Sequence, residues 1–323
     1  MQKKNGFFTN HYLKINRHTG FLWASILFFT TTAANNVLGK TNMEYKYLLS
    51  LNTNKSLCYV DINGMPAMDN NNGSNGIQSS GLNATAFLEN GTNTIALLFS
   101  DLSDDIKSNK FDPEAWCEAT LKKVSVTGTN EIIGHIKLTV DKDGNTVTSP
   151  NKIGNGKSEF EFSGMATNPE DDGLYKAQKR FSIRGLPDWM WTKAHPVTEN
   201  DLPAIKNFYQ DIINTLAHKD LDKLWKMSKP AWDEWAMAED SNPRIFFNSM
   251  NFEELTDDKL YTIRIYPEWK KLKLVSYKSG RLFRLEEGAF GRSPILMDNK
   301  KTGDTATYSP YLSIIDGKVV IAR

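Results

Sequence analysis

No Gly-x-Ser-x-Gly turn, no His-Glu-x-x-His pair and no phosphate-cradling glycine loop occurs in this sequence. Those absences remove the commonest serine-hydrolase, zinc-protease and nucleotide-binding signatures. Cysteine is scarce: only Cys58 and Cys117 occur, neither in a CxxC pair nor with a histidine at ligand spacing. No metal site and no cofactor are expected from such a set. After residue 40 no apolar run reaches the roughly 20 residues that span a bilayer.

What is present begins with a leader. Lys3, Lys4, Lys14 and Arg17, with no acidic residue among them, precede the apolar block Phe21 to Phe29 and the small residues Thr30 to Ala34. This pattern reads as a signal peptide over residues 1–39, cut near 34 or 39. An uncleaved anchor is the alternative, but the block is short for a span and is followed by Asn35 and Asn36. The mature chain is therefore expected in the periplasm or secreted, with no stable membrane insertion.

Removing the leader lowers the Lys+Arg count from 39 to 35, against 38 Asp+Glu. So even a balance leaves no electrostatic footprint for nucleic acid and no polybasic patch for an anionic membrane. In an oxidising compartment an isolated cysteine pair reads as a Cys58–Cys117 disulfide, the alternative being two buried small hydrophobes in separate strands. About 285 mature residues exceed the usual size of one domain, roughly 100 to 150, which makes two the prior.

From residue 44 to about 183 the pattern is one of strands. Short alternating or β-branched runs cover 45–51, 57–62, 84–88, 94–100, 119–127, 132–140, 158–162 and 176–183, punctuated by Asn63-Gly64, Asn90-Gly91, Asp143-Gly144 and Asn155-Gly156. Such runs with such turns predict an all-β antiparallel sandwich over 40–184. The Asn/Gly-rich stretch Asp69 to Gly76 interrupts them as a loop. Residues 185–199, rich in proline and tryptophan, read as a linker, the crossing between modules, where rings can cover both cores.

Beyond Asn200 the period becomes helical: Ile205, Phe208, Tyr209, Ile212, Ile213 and Leu216 recur at three- and four-residue steps, with Pro203 in the first turn. A second helix is expected from Asp220 and a third from Pro230 to Glu239. Strands are then expected over 258–266, 270–277, 281–287 and 311–322, the last folded at Asp316-Gly317. Residues 200–323 thus predict an α+β cone, helices packed on a curved antiparallel sheet.

Two resemblances carry these readings further. Val60 to Pro66 followed by Leu88 to Leu97 resembles the strand, Asn-Gly turn and hairpin of immunoglobulin-like and jelly-roll modules. Ala204 to Ile213, His218 to Leu224 and Leu312 to Val320 resemble the first helix, the second helix and the closing hairpin of the nuclear transport factor two-like and SnoaL-like cone fold. That resemblance implies a pocket between helices and sheet, used by different members for catalysis, ligand binding or dimerisation.

The mature chain holds three histidines, His135, His195 and His218. His135 reads as an ordinary strand-face residue and His195, before Pro196, as structural. His218 with Asp220 and Asp222 is the catalytic candidate, since the SnoaL-like resemblance implies an inward His/Asp pair that moves protons. Asp220 equally reads as a helix cap. Trp232, Trp235 and Glu239 can share one helical face and grip a partner or a sugar, or simply pack. Tyr266, Trp269 and Arg281 belong to an aromatic and arginine-rich stretch with hot-spot composition, or else line the cone.

The sequence points to an exported binding protein whose partner is another protein, such as a periplasmic immunity or accessory protein, rather than to an enzyme. Two alternatives stay open. One is a small-molecule enzyme using the cone pocket, which requires His218 to face inward. The other is a carbohydrate-binding surface protein, which requires exposed aromatics such as Tyr59 and Trp116.

Overall fold

The computed structural model describes residues 43–71, 75–102, 111–125, 127–149, 160–167, 171, 173–288 and 291–323. The leader over 1–39, parts of the expected runs 119–127 and 158–162, and part of the Asp69 to Gly76 loop lie outside these residues.

Alternation sets the first part of the fold. In β1 (Tyr45–Asn54) Tyr47, Leu49 and Leu51 point inward, and in β2 (Ser56–Ile62) Cys58, Val60 and Ile62 do so. β5 (Gly91–Asp101) adds Ile95, Leu97 and Phe99, while β6 (Trp116–Ser125) adds Cys117, Ala119 and Leu121. With β3 (Met65–Asp69), β4 (Gln78–Asn83), β7 (Asn130–Val140), β8 (Thr146–Thr148), β9 (Phe162–Met165) and β10 (Tyr175–Ile183) they form two five-stranded antiparallel sheets. The orders are β4-β1-β6-β7-β8 and β3-β2-β5-β10-β9, and the inward side chains of both make one core, the arrangement of a sandwich.

Cys58 on one sheet and Cys117 on the other are bonded across that core, their Cα atoms 6.1 Å apart. The Asn63-Gly64 turn joins β2 to β3 with both residues at positive φ (57° and 79°), as a two-residue hairpin demands. The expected strand over 84–88 is instead a single 3-10 turn, Thr85–Phe87. There the backbone of Tyr47 donates to the Thr85 hydroxyl at 2.9 Å, so a side chain takes the place of a ladder partner at the end of β4.

Four helices follow. α1 (Leu202–Ala217) buries Ile205, Tyr209, Ile212, Ile213 and Leu216, and α2 (Leu221–Glu239) starts at Asp220, whose carboxylate accepts from the Lys223 backbone at 2.9 Å. No separate helix begins at Pro230: α2 runs through it. An interior proline costs about 3 kcal/mol or more, and burial of Leu224 and Ala231 on either side of it in the same core works against the loss. α3 (Pro243–Ser249) and α4 (Phe252–Leu255) are short.

The remaining strands are β11 (Tyr261–Ile263), β12 (Lys273–Tyr277), β13 (Leu282–Glu286), β14 (Ile295–Asn299), β15 (Thr305–Tyr308), β16 (Leu312–Ile315) and β17 (Lys318–Ile321). They make two antiparallel sheets, β11-β14-β15 and β12-β13-β16-β17, with a bridge between Glu287 and Arg292 joining their ends. Phe283, Leu285, Ile295, Met297 and Leu312 pack with the apolar face of α1.

Removing the disulfide by Cys117→Ala is expected to cost about 2–4 kcal/mol, because the bridge closes a loop of 59 residues across two sheets. Denaturant titration reads this as a lower midpoint. An unchanged midpoint would mean that the bridge is not formed in solution.

Candidate functional site

The densest set of buried charges lies where the sandwich meets the helices and their sheets. Residues 185–199 run along this junction. Trp189 and Trp191 are buried with Met65 and Ala86 on one side and Ala238, Leu282, Tyr311 and Ala322 on the other. The Trp189 indole donates to the Leu88 carbonyl at 2.7 Å, and Arg323 at the chain end pairs with Glu234 while its Nε donates to the Ala86 carbonyl at 2.9 Å. The Trp189 and Arg323 Nε donors are thus met by carbonyls of the sandwich, while the Trp191 indole N–H is buried with no hydrogen-bond partner among the described residues.

Glu89, on the sandwich side, is held by three bonds. Arg281 binds it in bidentate fashion at 2.7 and 2.8 Å, and Lys278 approaches at 2.5 Å. Burial acts to raise the pKa of Glu89, but the two cations outweigh it and hold the carboxyl below its ordinary value. Nearby, the Tyr277 hydroxyl donates to Glu286 at 2.8 Å, Arg284 pairs with Glu286 and stacks 4.7 Å from the Tyr311 ring, and the Tyr311 hydroxyl is buried with no hydrogen-bond partner among the described residues.

Asp61 faces out of the sandwich from β2. Burial pushes its carboxyl up to about 7, Lys176 and Arg284 pulling it down and Asp171 adding to the rise. Nothing in the sequence around Asp61 distinguishes it from an ordinary outward strand residue, because the charges that act on it, Lys176, Asp171 and Arg284, come from distant segments.

The sequence-predicted residues are dispersed. His218 is exposed at the end of α1, its Nδ1 2.7 Å from the Asn214 carbonyl oxygen. Asp220 caps α2, and exposed Asp222 opens onto a surface cavity. No inward His/Asp pair is formed by these three, so the enzyme reading loses the residues on which it rested. His135 lies on a strand face 2.6 Å from Glu118, and the His195 backbone bonds to Ile314 at 3.0 Å.

Trp232 packs edge-on against Phe247 and donates to Ser228 at 2.9 Å, while Trp235 meets Phe87 edge-on at 5.5 Å. Glu239 accepts from Asn83 at 3.0 Å, and burial raises its carboxyl pKa. Trp269 packs on the helical core. Internal contacts therefore occupy four of the six expected binding residues, Trp232, Trp235, Glu239 and Trp269, and Arg281 is taken by Glu89. Tyr59 and Trp116 are half-buried, the latter with the Lys137 ammonium 4.7 Å from its ring centre.

Tyr266 is the exception, at 84% exposed. Ile265 and Leu260, at 40% and 41%, flank the same edge strand, β11. The segment is braced: Arg264 forks onto Asp298 at 2.5 and 2.7 Å, and Gln210 donates to the Ile265 carbonyl at 2.9 Å. Among the described residues no cluster of three or more His, Cys, Asp or Glu could hold a metal, and no helix is long and apolar enough to cross a membrane. Compared with known protein families, with curated proteins and with solved structures, the chain matches none.

Two outcomes test the seam. Glu89→Ala leaves two cations without their carboxylate and is expected to lower stability by about 3–5 kcal/mol, read in denaturant titration. Asp61 holds a proton in the folded chain over a range where the unfolded chain has lost it, so its stabilising share is complete below about pH 4 and fades as pH rises through about 7. Asp61→Asn is therefore expected to raise the melting temperature at pH 8, by the equivalent of about 1–2 kcal/mol, and to change little near pH 4. Equal effects at both pH values would contradict the assignment.

Proposed function

We propose that this chain is an exported binding protein whose partner is another protein, in the manner of a periplasmic immunity or accessory protein. In this reading it consists of two modules, an immunoglobulin-like β-sandwich and an α+β cone of the nuclear transport factor two-like kind, locked together at the tryptophan-lined seam. The basic and apolar leader over 1–39 supports export, and a disulfide between sheets suits an oxidising compartment.

One observation carries the binding role: the Leu260, Ile265 and Tyr266 rim. Folding half-buries the other large aromatic candidates against internal partners, yet leaves a tyrosine and two aliphatic side chains more exposed on a segment that is already fixed. An exposed apolar group beside arginine has the composition of interface anchors, and a braced backbone lowers the entropy lost on association.

The test is capture with the tagged mature chain from periplasmic extract, run beside a Tyr266→Asp variant. The expected outcome is a stoichiometric protein recovered with the natural chain and at least about tenfold depleted with the variant, whose circular dichroism is unchanged. Equal recovery with both would remove the rim from the interface, and recovery of no partner would sink the reading.

A further inference from the structure

We propose that the cavity at the corner of α2, α3 and α4 binds a free α-amino acid with an apolar side chain. It has a volume of about 270 Å³ and is lined by Asp222, Arg244, Phe247, Asn248, Phe252 and Glu253, among others. The Arg244 guanidinium sits over Trp225, its central carbon 4.0 Å from the ring centre, a contact that holds the group at the cavity without using its N–H donors. Among the described residues no ion pair or hydrogen bond engages that guanidinium, nor the carboxylates of Asp222 and Glu253.

Opposite charges thus face one space without pairing across it. A ligand that carries both a carboxylate and an ammonium group satisfies both sides: the guanidinium fork takes the carboxylate with two N–H bonds, and the two acids take the ammonium. Phe247 and Phe252, nearly buried, offer an apolar floor for the side chain. Simple anions fit less well because two carboxylates repel them, and simple cations because of Arg244. The volume falls just short of the roughly 300–1,000 Å³ of pockets for larger ligands, which suits one amino acid and not a peptide.

The site shares no residue with the Leu260 to Tyr266 rim, so the two tests are independent. Calorimetric titration of the mature chain with L-phenylalanine, L-leucine and L-methionine is expected to give one saturable site for at least one of them, with Kd of about 10 μM to 1 mM. For L-phenylalanine as the binder, the controls are N-acetyl-L-phenylalanine, which lacks the ammonium, and L-phenylalanine amide, which lacks the carboxylate. Each is expected to bind at least about tenfold more weakly, and the corresponding blocked forms serve if another amino acid binds.

Arg244→Gln is expected to weaken binding by about tenfold or more, and Glu253→Gln, exposed and outside the core, by several-fold. Should Arg244→Gln unfold, Glu253→Gln alone carries the test. Absence of binding by all three amino acids up to about 10 mM overturns the proposal. So does equal affinity for a singly charged analogue, or unchanged affinity in a folded Glu253→Gln variant.

Discussion

The grip of Arg281 and Lys278 on Glu89 sets how the sandwich and the helical half of the chain sit against each other. A buried carboxylate is tolerable only when donors meet it in good geometry, so the turn that presents those two cations must lie in one place. That turn is unusual in its backbone. Lys278, Ser279 and Gly280 all have positive φ, at 50°, 57° and 83°, and a side chain at Gly280 would approach Val197 and Pro196 within 3.2 to 3.3 Å. The Val197 N–H donates to the Gly280 carbonyl at 2.9 Å, which ties the segment after the tryptophans to the same turn. Strain here is sustained by the ion cluster on one side and the chain crossing on the other.

Around that cluster the seam is sealed by rings. Trp189 and Trp191 exclude water, which strengthens each neighbouring ion pair and makes a misplaced one more costly. The same choice of residues explains why the binding candidates turned inward. Large flat rings and arginine are used wherever much area must be covered with little loss of rotamer freedom, and that need is shared by partner interfaces and by internal seams. Composition alone does not separate the two uses. Exposure does, and it leaves Tyr266 outside while Trp235, Trp232 and Arg281 are consumed.

Much of the architecture is legible in local pattern. Period-two runs mark β1, β2, β5, β7 and β10, the Asn63-Gly64 and Asp316-Gly317 turns mark two hairpins, and the stripe from Ile205 to Leu216 marks α1 with its neighbour capped at Asp220. Short elements escape. β3 carries Pro66, β4 is mostly polar with Gly81 inside it, and β14 opens on three consecutive apolar residues, so none of them alternates, and Pro230 imitates a helix start because its local cost is visible while the packing that offsets it is not. Asp61 and Glu89 escape for another reason: their environments are assembled from Lys176, Arg284, Lys278 and Arg281, all far along the chain.

The sequence by itself determined the succession of strands, helices and strands, the near-neutral charge and the fact that two cysteines have only each other to pair with. These are properties of neighbours and of counts, and hydrophobic periodicity and turn chemistry act over a few residues at a time. Only the tertiary structure decided that Cys58 and Cys117 face across one core, that Glu89 meets Arg281 and Lys278, that His218 stays at the surface and that Arg244 shares a cavity with two unpaired carboxylates. Those outcomes depend on burial and electrostatics, which are set by everything within a few ångströms in space whatever its distance along the chain.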